Sequence, residues 1–210
     1  LIEHYVGIEM VLKAGGFEQA AEIIKNSLPT KKRIQSGDLG EIVAVEFLHA
    51  HTDFQAPIMK LRYKSDRDTA LHGNDLIALS KSGRRPRILK GECKSRANFS
   101  AAHVPDAVAP LDAHGGRPNP STLSFITKRL YEEGRDQEAS IFRDLQSTNG
   151  LRLQDVEHLV FVLSGNNVAS VLAEVPPPLK RGIRRRWCAS LMIPGHGEFI
   201  TSVFTLAYGS

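Results

Sequence analysis

The chain has 210 residues and a formal net charge of +4 at pH 7; 41% of its residues are hydrophobic and 24% are charged. This length predicts one domain, or one domain with an addition, and the apolar fraction excludes an intrinsically disordered chain. No apolar run reaches the ~20 residues that a membrane-spanning helix needs, and the first residues lack the basic and apolar parts of a signal peptide.

The two cysteines, Cys93 and Cys188, are too few for a disulfide framework. Such scarcity is typical of proteins in the reducing cytoplasm, so we expect a cytoplasmic protein that has no membrane contact. The eight histidines show none of the spacings that metal ligands require, and a structural zinc site is therefore not expected.

The first part of the chain is predicted to be helical. Over residues 1–28, apolar residues recur at steps of three and four, and Pro29 ends the segment. A stronger helix is predicted to begin with Ser36 as its N-cap. Glu41 lies beside the apolar stripe of this helix, and from the helix alone an exposed glutamate is the favoured interpretation. The stripe is formed by Leu39, Ile42, Val43 and Phe47.

Three strands are predicted next. Residues 57–63 alternate between apolar and polar side chains, as a half-buried strand does. Residues 75–80 and 87–94 form the two arms of a predicted hairpin. The turn between these arms is rich in Gly, Ser and Pro and is centred on Gly83 and Arg84.

The second half of the chain is predicted to contain helices followed by strands. Residues 97–119 give no clear assignment, and two helices are predicted within 121–145. Residues 158–164 are continuously apolar, which is typical of a strand buried on both faces. Two further strands are predicted at 187–193 and 199–207.

The hairpin brings together three side chains that carry chemistry. Opposing residues of an antiparallel pair have a constant sum of numbers, which is 167 for a turn centred between residues 83 and 84. Asp75 then faces Glu92, and Lys94 projects on the same side because strand side chains alternate. Like charges opposite each other destabilise a sheet, so a divalent cation is the natural explanation for the two carboxylates. The alternative is a surface salt-bridge cluster.

The order helix, three strands, helix, strand resembles the core of the PD-(D/E)XK nuclease superfamily, although Asn74 stands where the signature has proline. The signature residues are Gly73-Asn74-Asp75 followed by Glu92-Cys93-Lys94. More narrowly, three segments resemble the HamA family of nuclease subunits from Hachiman anti-phage defence systems. These segments are GDLGEIVAVEFL, LHGNDLIAL and ILKGECKSR, and the likeness extends over about residues 36–165.

The resemblance implies an α/β fold with an αβββαβ core, in which a central mixed sheet is flanked by helices. It implies that Asp75, Glu92 and the carbonyl of Cys93 bind Mg²⁺ or Mn²⁺, that Lys94 is the catalytic lysine, and that Glu41 joins the site. A helicase partner resembling HamB is implied as well. We predict a helical segment at 1–30, the nuclease core at 31–165, and a basic C-terminal extension at 166–210 that packs on the core.

The expected substrate is DNA, bound through its phosphates and cut with little sequence preference. One alternative is a catalytically inactive scaffold of the same fold that binds nucleic acid or a partner protein, and another is an enzyme that acts on RNA. The residues predicted to contact phosphates are Arg96, Lys31, Lys32, Arg33, Arg84, Arg85, Lys180, Arg181, Arg184, Arg185 and Arg186.

Overall fold

A computed structural model describes residues 1–7, 10, 16–80, 82, 85–147 and 150–209. The helices are α1 (Ile2–Tyr5), α2 (Phe17–Ser27), α3 (Lys32–His51), α4 (Val104–Asp112), α5 (Pro120–Glu132), α6 (Asp136–Leu145), α7 (Ala169–Ala173) and α8 (His196–Gly209). The strands are β1 (Phe54–Gln55), β2 (Leu76–Ser80), β3 (Ile88–Arg96), β4 (Val156–Ser164) and β5 (Arg185–Met192). Short 3-10 helices lie at Lys60–Tyr63, Ala101–His103, Ala113–Gly116 and Leu153–Asp155.

The five strands form one mixed sheet in the order β1-β2-β3-β4-β5. The pairs β1–β2 and β2–β3 are antiparallel, whereas the pairs β3–β4 and β4–β5 are parallel. The predicted α/β class and the mixed sheet flanked by helices are therefore confirmed. The assignment of this fold to the PD-(D/E)XK core stays a prediction, and so does the division of the chain into three parts.

Helices cover both faces of the sheet, as a sheet with buried parallel strands requires. On one face, α1, α3 and α8 pack on β-strand residues such as Leu89 and Phe161. On the other face, α5 and α6 pack against Ile77 and Ile88, while α4 packs against Val160. Every residue of β4 is buried, which confirms the strand predicted there. Within the described residues, no helix has the length and apolar character to cross a membrane.

The hairpin register is confirmed. Leu79 pairs with Ile88 and Ile77 pairs with Lys90, so the paired numbers sum to 167 as predicted. The predicted turn centre, Gly83 and Arg84, lies outside the described residues. Because the register decides which side chains share a face, the positions of Asp75, Glu92 and Lys94 follow from it.

The predicted strand at 57–63 is wrong. Strand β1 contains only Phe54 and Gln55, and a 3-10 helix follows at Lys60–Tyr63. Gln55 pairs with Leu79 of β2, so a continued strand would place Pro57 opposite Ile77. Proline has no N–H to donate to the ladder, and the pairing therefore stops.

The N-cap prediction for Ser36 is also wrong, because α3 begins four residues earlier, at Lys32. The carboxylate of Asp68 accepts hydrogen bonds from the backbone N–H groups of Thr30 and Lys31, at 2.7 and 2.9 Å. A cap supplied from a distant loop leaves no local signal. Ser36 lies inside the helix, and its hydroxyl contacts Ser95 of β3 at 2.9 Å.

The tail contains the fifth strand and the last helix. Strand β5 overlaps the strand predicted at 187–193, but the strand predicted at 199–207 is wrong because these residues belong to α8. Ile200, Phe204 and Ala207 recur at helical spacing and are buried together. The continuous apolar character of this segment masked its helical period.

The stability of the fold is expected to depend on His158, a fully buried residue of β4. Burial lowers the pKa of His158 from 6.5 to about 4. The unfolded chain therefore binds a proton that the folded chain excludes, and the His158 contribution to stability is lost as the pH falls from about 6.5 to 4. We expect a loss of about 3 kcal/mol over this interval. Urea denaturation at several pH values should show a shallower decline for His158→Gln; an unchanged slope would refute this assignment.

Candidate active site

The three side chains of the predicted site meet at the open end of the β2–β3 hairpin. Asp75 directly precedes β2, while Glu92 and Lys94 belong to β3. The described ladder ends at the pair Leu76–Gly91, so Asp75 and Glu92 lie one step beyond it. The Nζ of Lys94 donates to Oε1 of Glu92 at 2.6 Å. The three residues are therefore held together by the strand register.

The carboxylates of Asp75 and Glu92 are electrostatically coupled. Only 6% of Glu92 is exposed. Burial raises the pKa of Glu92 to about 8, and the charge of Asp75 adds to this rise, whereas Lys94 opposes it. Asp75 is positioned by the backbone N–H of Cys93, which donates to its Oδ2 at 3.0 Å. Two acidic groups held this close favour either a shared proton or a bound cation.

Glu41 reaches the same region from α3. Its side chain is only 20% exposed, so the interpretation as an exposed helix glutamate is wrong. Burial and the charges of Asp75 and Asp38 raise the pKa of Glu41 to about 7, against the opposing charge of Lys60. The structure thus brings Glu41 beside the hairpin end; the role there that the resemblance implies stays a prediction.

Lys60 was not predicted as part of this region. Its Nζ lies 3.3 Å from Oε2 of Glu41 and donates to the carbonyl oxygens of Asn74 and Asp75, at 3.1 and 3.4 Å. Burial opposes the charge of Lys60, but the carboxylates of Glu41 and Asp75 outweigh it and raise its pKa. The strand predicted at 57–63 gave no reason to expect Lys60 near Glu41. The 3-10 helix that replaces this strand turns the Lys60 side chain toward Glu41.

A cavity of about 40 Å³ adjoins these groups and has room for a few water molecules. Glu41, Lys60, Asn74 and Asp75 line its polar side. Apolar side chains such as Ile58 form the opposite wall. Glu41 and Asp75 therefore border a small cavity and not a flat surface.

The donor groups at the hairpin end are oxygen atoms, the ligand type that a hard divalent cation prefers. Asp75 and Glu92 offer carboxylate oxygens, and the main-chain carbonyl of Cys93 lies between Glu92 and Lys94 in the chain. Among the described residues, no three His, Cys, Asp or Glu side chains converge closely enough to hold a metal ion alone. A cation here would therefore need the backbone oxygen and water molecules in addition to the two carboxylates, as Mg²⁺ sites commonly do.

The Cys93 thiol faces away from Glu92 and Lys94, because strand side chains alternate. Its side chain packs on the core on the side of α3. Burial raises the pKa of the Cys93 thiol well above its usual range, and the nearby charges of Asp75 and Glu41 raise it further. Because the thiolate is the reactive form, this environment keeps the thiol inert.

Most of the basic residues predicted to contact phosphates are exposed, but they lie on different parts of the surface. Arg96 ends β3, two residues after Lys94, and the triplet of residues 31–33 lies at the start of α3. Arg84 lies outside the described residues. The exposed members are Lys31, Lys32, Arg33, Arg85, Arg96, Lys180, Arg181, Arg184 and Arg185.

The arginines at the start of β5 are bound within the protein. Glu157, which is fully buried, pairs with Arg184 at 3.3 Å and with Arg185 at 2.7 Å. Arg186 has a side chain only 1% exposed and pairs with Asp112. Arg186 therefore has a structural role, whereas Arg184 and Arg185 pair with Glu157 but keep more than half of their side chains exposed.

Comparison with known proteins finds a family model and a relative that each match most of the chain. Residues 1–205 match the family model described as HamA. The Hachiman protein HamA of Bacillus cereus is 27% identical over 162 residues, which make up 77% of this chain and 57% of that protein. The chain thus spans a little over half the length of this relative.

Proposed function

Since the chain belongs to the HamA family, we propose that it is a metal-dependent deoxyribonuclease of the PD-(D/E)XK type that serves in anti-phage defence. The observation that carries this proposal is the arrangement of Asp75, Glu92 and Lys94. Two carboxylates meet on adjacent strands, and an ammonium group lies 2.6 Å from one of them. Two carboxylates opposite each other destabilise the end of a sheet, so their presence is not explained by stability. The same groups suit metal-assisted hydrolysis of a phosphodiester bond.

Asp75, Glu92 and the carbonyl of Cys93 would hold Mg²⁺ or Mn²⁺. A bound cation of this kind polarises a phosphoryl oxygen and makes a hydroxide nucleophile available near neutral pH. Lys94 orients the attacking water and stabilises the negative charge that develops on the phosphate. Lys60 holds Glu41 at the edge of the site, so that Glu41 can accept a proton or a hydrogen bond from water.

The proposed substrate is DNA contacted through its phosphates. Exposed Arg96, which follows Lys94 on β3, and the exposed basic residues at the start of α3 support this proposal. Contacts of this type carry no sequence information, so cleavage should show little sequence preference and binding should weaken as salt increases.

We propose that a helicase subunit resembling HamB engages the DNA and controls the nuclease. Membership in the HamA family and the similarity to a protein named for the Hachiman system support this partnership. A nuclease without sequence preference must be restrained in an uninfected cell, and a partner that delivers DNA provides such control.

A catalytically inactive scaffold is the second candidate, and one observation favours it. Lys94 and Lys60 already pair with Glu92 and Glu41, so the acidic groups are partly neutralised without a metal. In this case the four residues would stabilise the hairpin end, and the protein would bind nucleic acid or a partner without cutting.

A cleavage assay separates the two candidates. Supercoiled and linear DNA are incubated with the protein in Mg²⁺ or in EDTA, with and without the helicase subunit and ATP, and an RNA of equal length is included. The nuclease proposal predicts cleavage of DNA in Mg²⁺ that EDTA abolishes. No cleavage under any of these conditions would support the scaffold, and cleavage of RNA alone would redirect the substrate assignment.

The pH dependence of cleavage follows from Glu92. Because burial and Asp75 raise the pKa of this carboxyl, a proton must leave before a cation can bind. At Mg²⁺ concentrations below saturation, we expect cleavage to increase as the pH rises from 6 to 8, by up to about tenfold per pH unit. At saturating Mg²⁺ this dependence should weaken. A rate that is flat with pH at low Mg²⁺ would contradict the role of Glu92.

A further inference from the structure

Lys60 is a buried lysine whose charge is surrounded by oxygen atoms. Its Nζ lies 3.3 Å from Oε2 of Glu41 and donates to the main-chain carbonyls of Asn74 and Asp75, at 3.1 and 3.4 Å. An ammonium group has three N–H donors, so three acceptors use all of them. Its side chain is only 16% exposed. Lys60 therefore has no donor left for a phosphate, unlike the exposed lysines at the start of α3.

The turn before β2 is held so that two of these oxygens face the ammonium group. Gly73 has a φ of +102°, and a Cβ there would lie 2.4 Å from Oγ1 of Thr122. The same hydroxyl oxygen accepts a hydrogen bond from the N–H of Asn74 at 3.2 Å. The side-chain oxygen of Asn74 accepts another from the N–H of Asn119 at 2.7 Å. The start of α5 therefore fixes this turn from one side, while its carbonyls are turned to the ammonium group on the other.

Asp75 connects the ammonium group to the proposed metal site. Its carboxylate accepts a hydrogen bond from the N–H of Cys93 at 3.0 Å, whereas its main-chain carbonyl accepts one from Lys60. Among the described residues, Glu41 does not join Asp75 and Glu92 in a cluster of three carboxylates. The carboxylate of Glu41 is paired with Lys60 instead. The acidic groups are thus divided between the hairpin end and Lys60.

The acceptors around Lys60 are of the type that binds hard divalent cations, namely one carboxylate and two main-chain carbonyls. Their distances from Nζ, 3.1–3.4 Å, suit an ammonium group, whereas Mg²⁺ needs ligands at about 2.0–2.1 Å. Two-metal sites that act on phosphodiesters hold their cations about 3.5–4 Å apart, with carboxylates between and around them. A fixed positive charge beside one metal site can replace the second ion of such a pair.

We propose that the Lys60 ammonium occupies the position beside Asp75 where a second divalent cation would bind, so that the site takes one metal ion and not two. The first ion is the one assigned to Asp75 and Glu92, and for that ion the inference rests on the proposed function. Lys60 is a positioning residue, because it acts through Glu41 and the turn before β2. When Lys60 is replaced, the oxygens that surround it become available to a metal ion.

The number of bound ions is measured with Mn²⁺ at pH 8 in the absence of DNA, from the loss of the electron paramagnetic resonance signal of the free ion. We expect the parent protein to bind one Mn²⁺ and Lys60→Gln to bind two, because the carboxylate of Glu41 then lacks a counter-charge. Glu41→Gln/Lys60→Gln removes both charges and should bind one ion again. Lys128→Gln, at an exposed lysine of α5, is the control and should bind like the parent.

The double variant separates a specific gain of an ion from misfolding, since an ion bound by a misfolded chain would remain when Glu41 is neutralised. A gain that persists in the double variant would therefore overturn the inference. Binding of no more Mn²⁺ by Lys60→Gln than by the parent would also overturn it, even if the parent cuts DNA. If the parent binds no ion and Lys60→Gln binds one that the double variant loses, the role of Lys60 stands and the metal site of Asp75 and Glu92 fails.

Discussion

Replacement of Lys94 by alanine is expected to reduce the rate of DNA cleavage by about 10²–10³-fold. The Lys94 ammonium lies 2.6 Å from Oε1 of Glu92, beside the place where a phosphate would meet the two carboxylates. Its loss removes a positive charge that stabilises the transition state, and it also lets the pKa of Glu92 rise further. Single-turnover cleavage in saturating Mg²⁺ measures the first effect apart from the second.

The matched control for this substitution is Lys128→Ala, which removes an exposed lysine of α5 whose side chain is 70% accessible. It should cleave DNA at the parental rate. Lys94→Arg keeps the charge but changes its geometry, and it should recover part of the lost rate. Equal cleavage by Lys94→Ala and the parent would show that Lys94 is only a structural partner of Glu92.

Replacement of Asp38 by asparagine is expected to lower the free energy of unfolding by about 3–5 kcal/mol. Asp38 of α3 is 4% exposed and accepts hydrogen bonds from Nζ of Lys64, at 2.8 and 2.6 Å, and from the hydroxyl of Tyr5, at 2.8 Å. Burial raises the pKa of Asp38, and Lys64 opposes this rise. The substitution leaves the Lys64 charge buried without a counter-ion, and urea denaturation measures the cost.

A double-mutant cycle tests this pair. Lys64→Met should also destabilise the protein, whereas Asp38→Asn/Lys64→Met should lose clearly less than the sum of the two single losses, because no buried charge is left unpaired. Asp144→Asn, at an exposed pair on α6, should change stability by less than about 1 kcal/mol. Strict additivity at Asp38 and Lys64 would contradict the coupling.

The candidate site was accessible from the sequence because the register of a hairpin is a local property. A turn between two apolar strands fixes the sum of the paired numbers, and the positions of Asp75, Glu92 and Lys94 then follow from alternation. Strand β4 was equally accessible, since the continuous apolar run at 158–164 leaves little choice. In both cases the decisive information lies within a few residues.

The parts that were missed depend on contacts between distant segments. The start of α3 is capped by Asp68, which lies more than 30 residues away in the chain. Lys60 turns toward Glu41 only because Pro57 stops β1 and a 3-10 helix follows. The roles of the arginines at the start of β5 depend on Glu157 and Asp112, whose proximity no local pattern indicates.

The most direct test of the proposed site is a calorimetric titration of the protein with Mg²⁺ near pH 8, in the absence of DNA. We expect saturable binding to the parent protein, near one site, and loss of that binding in Asp75→Asn/Glu92→Gln. Lys128→Ala should bind Mg²⁺ like the parent. Identical heats for the parent and the double variant would contradict a metal site at the end of the hairpin.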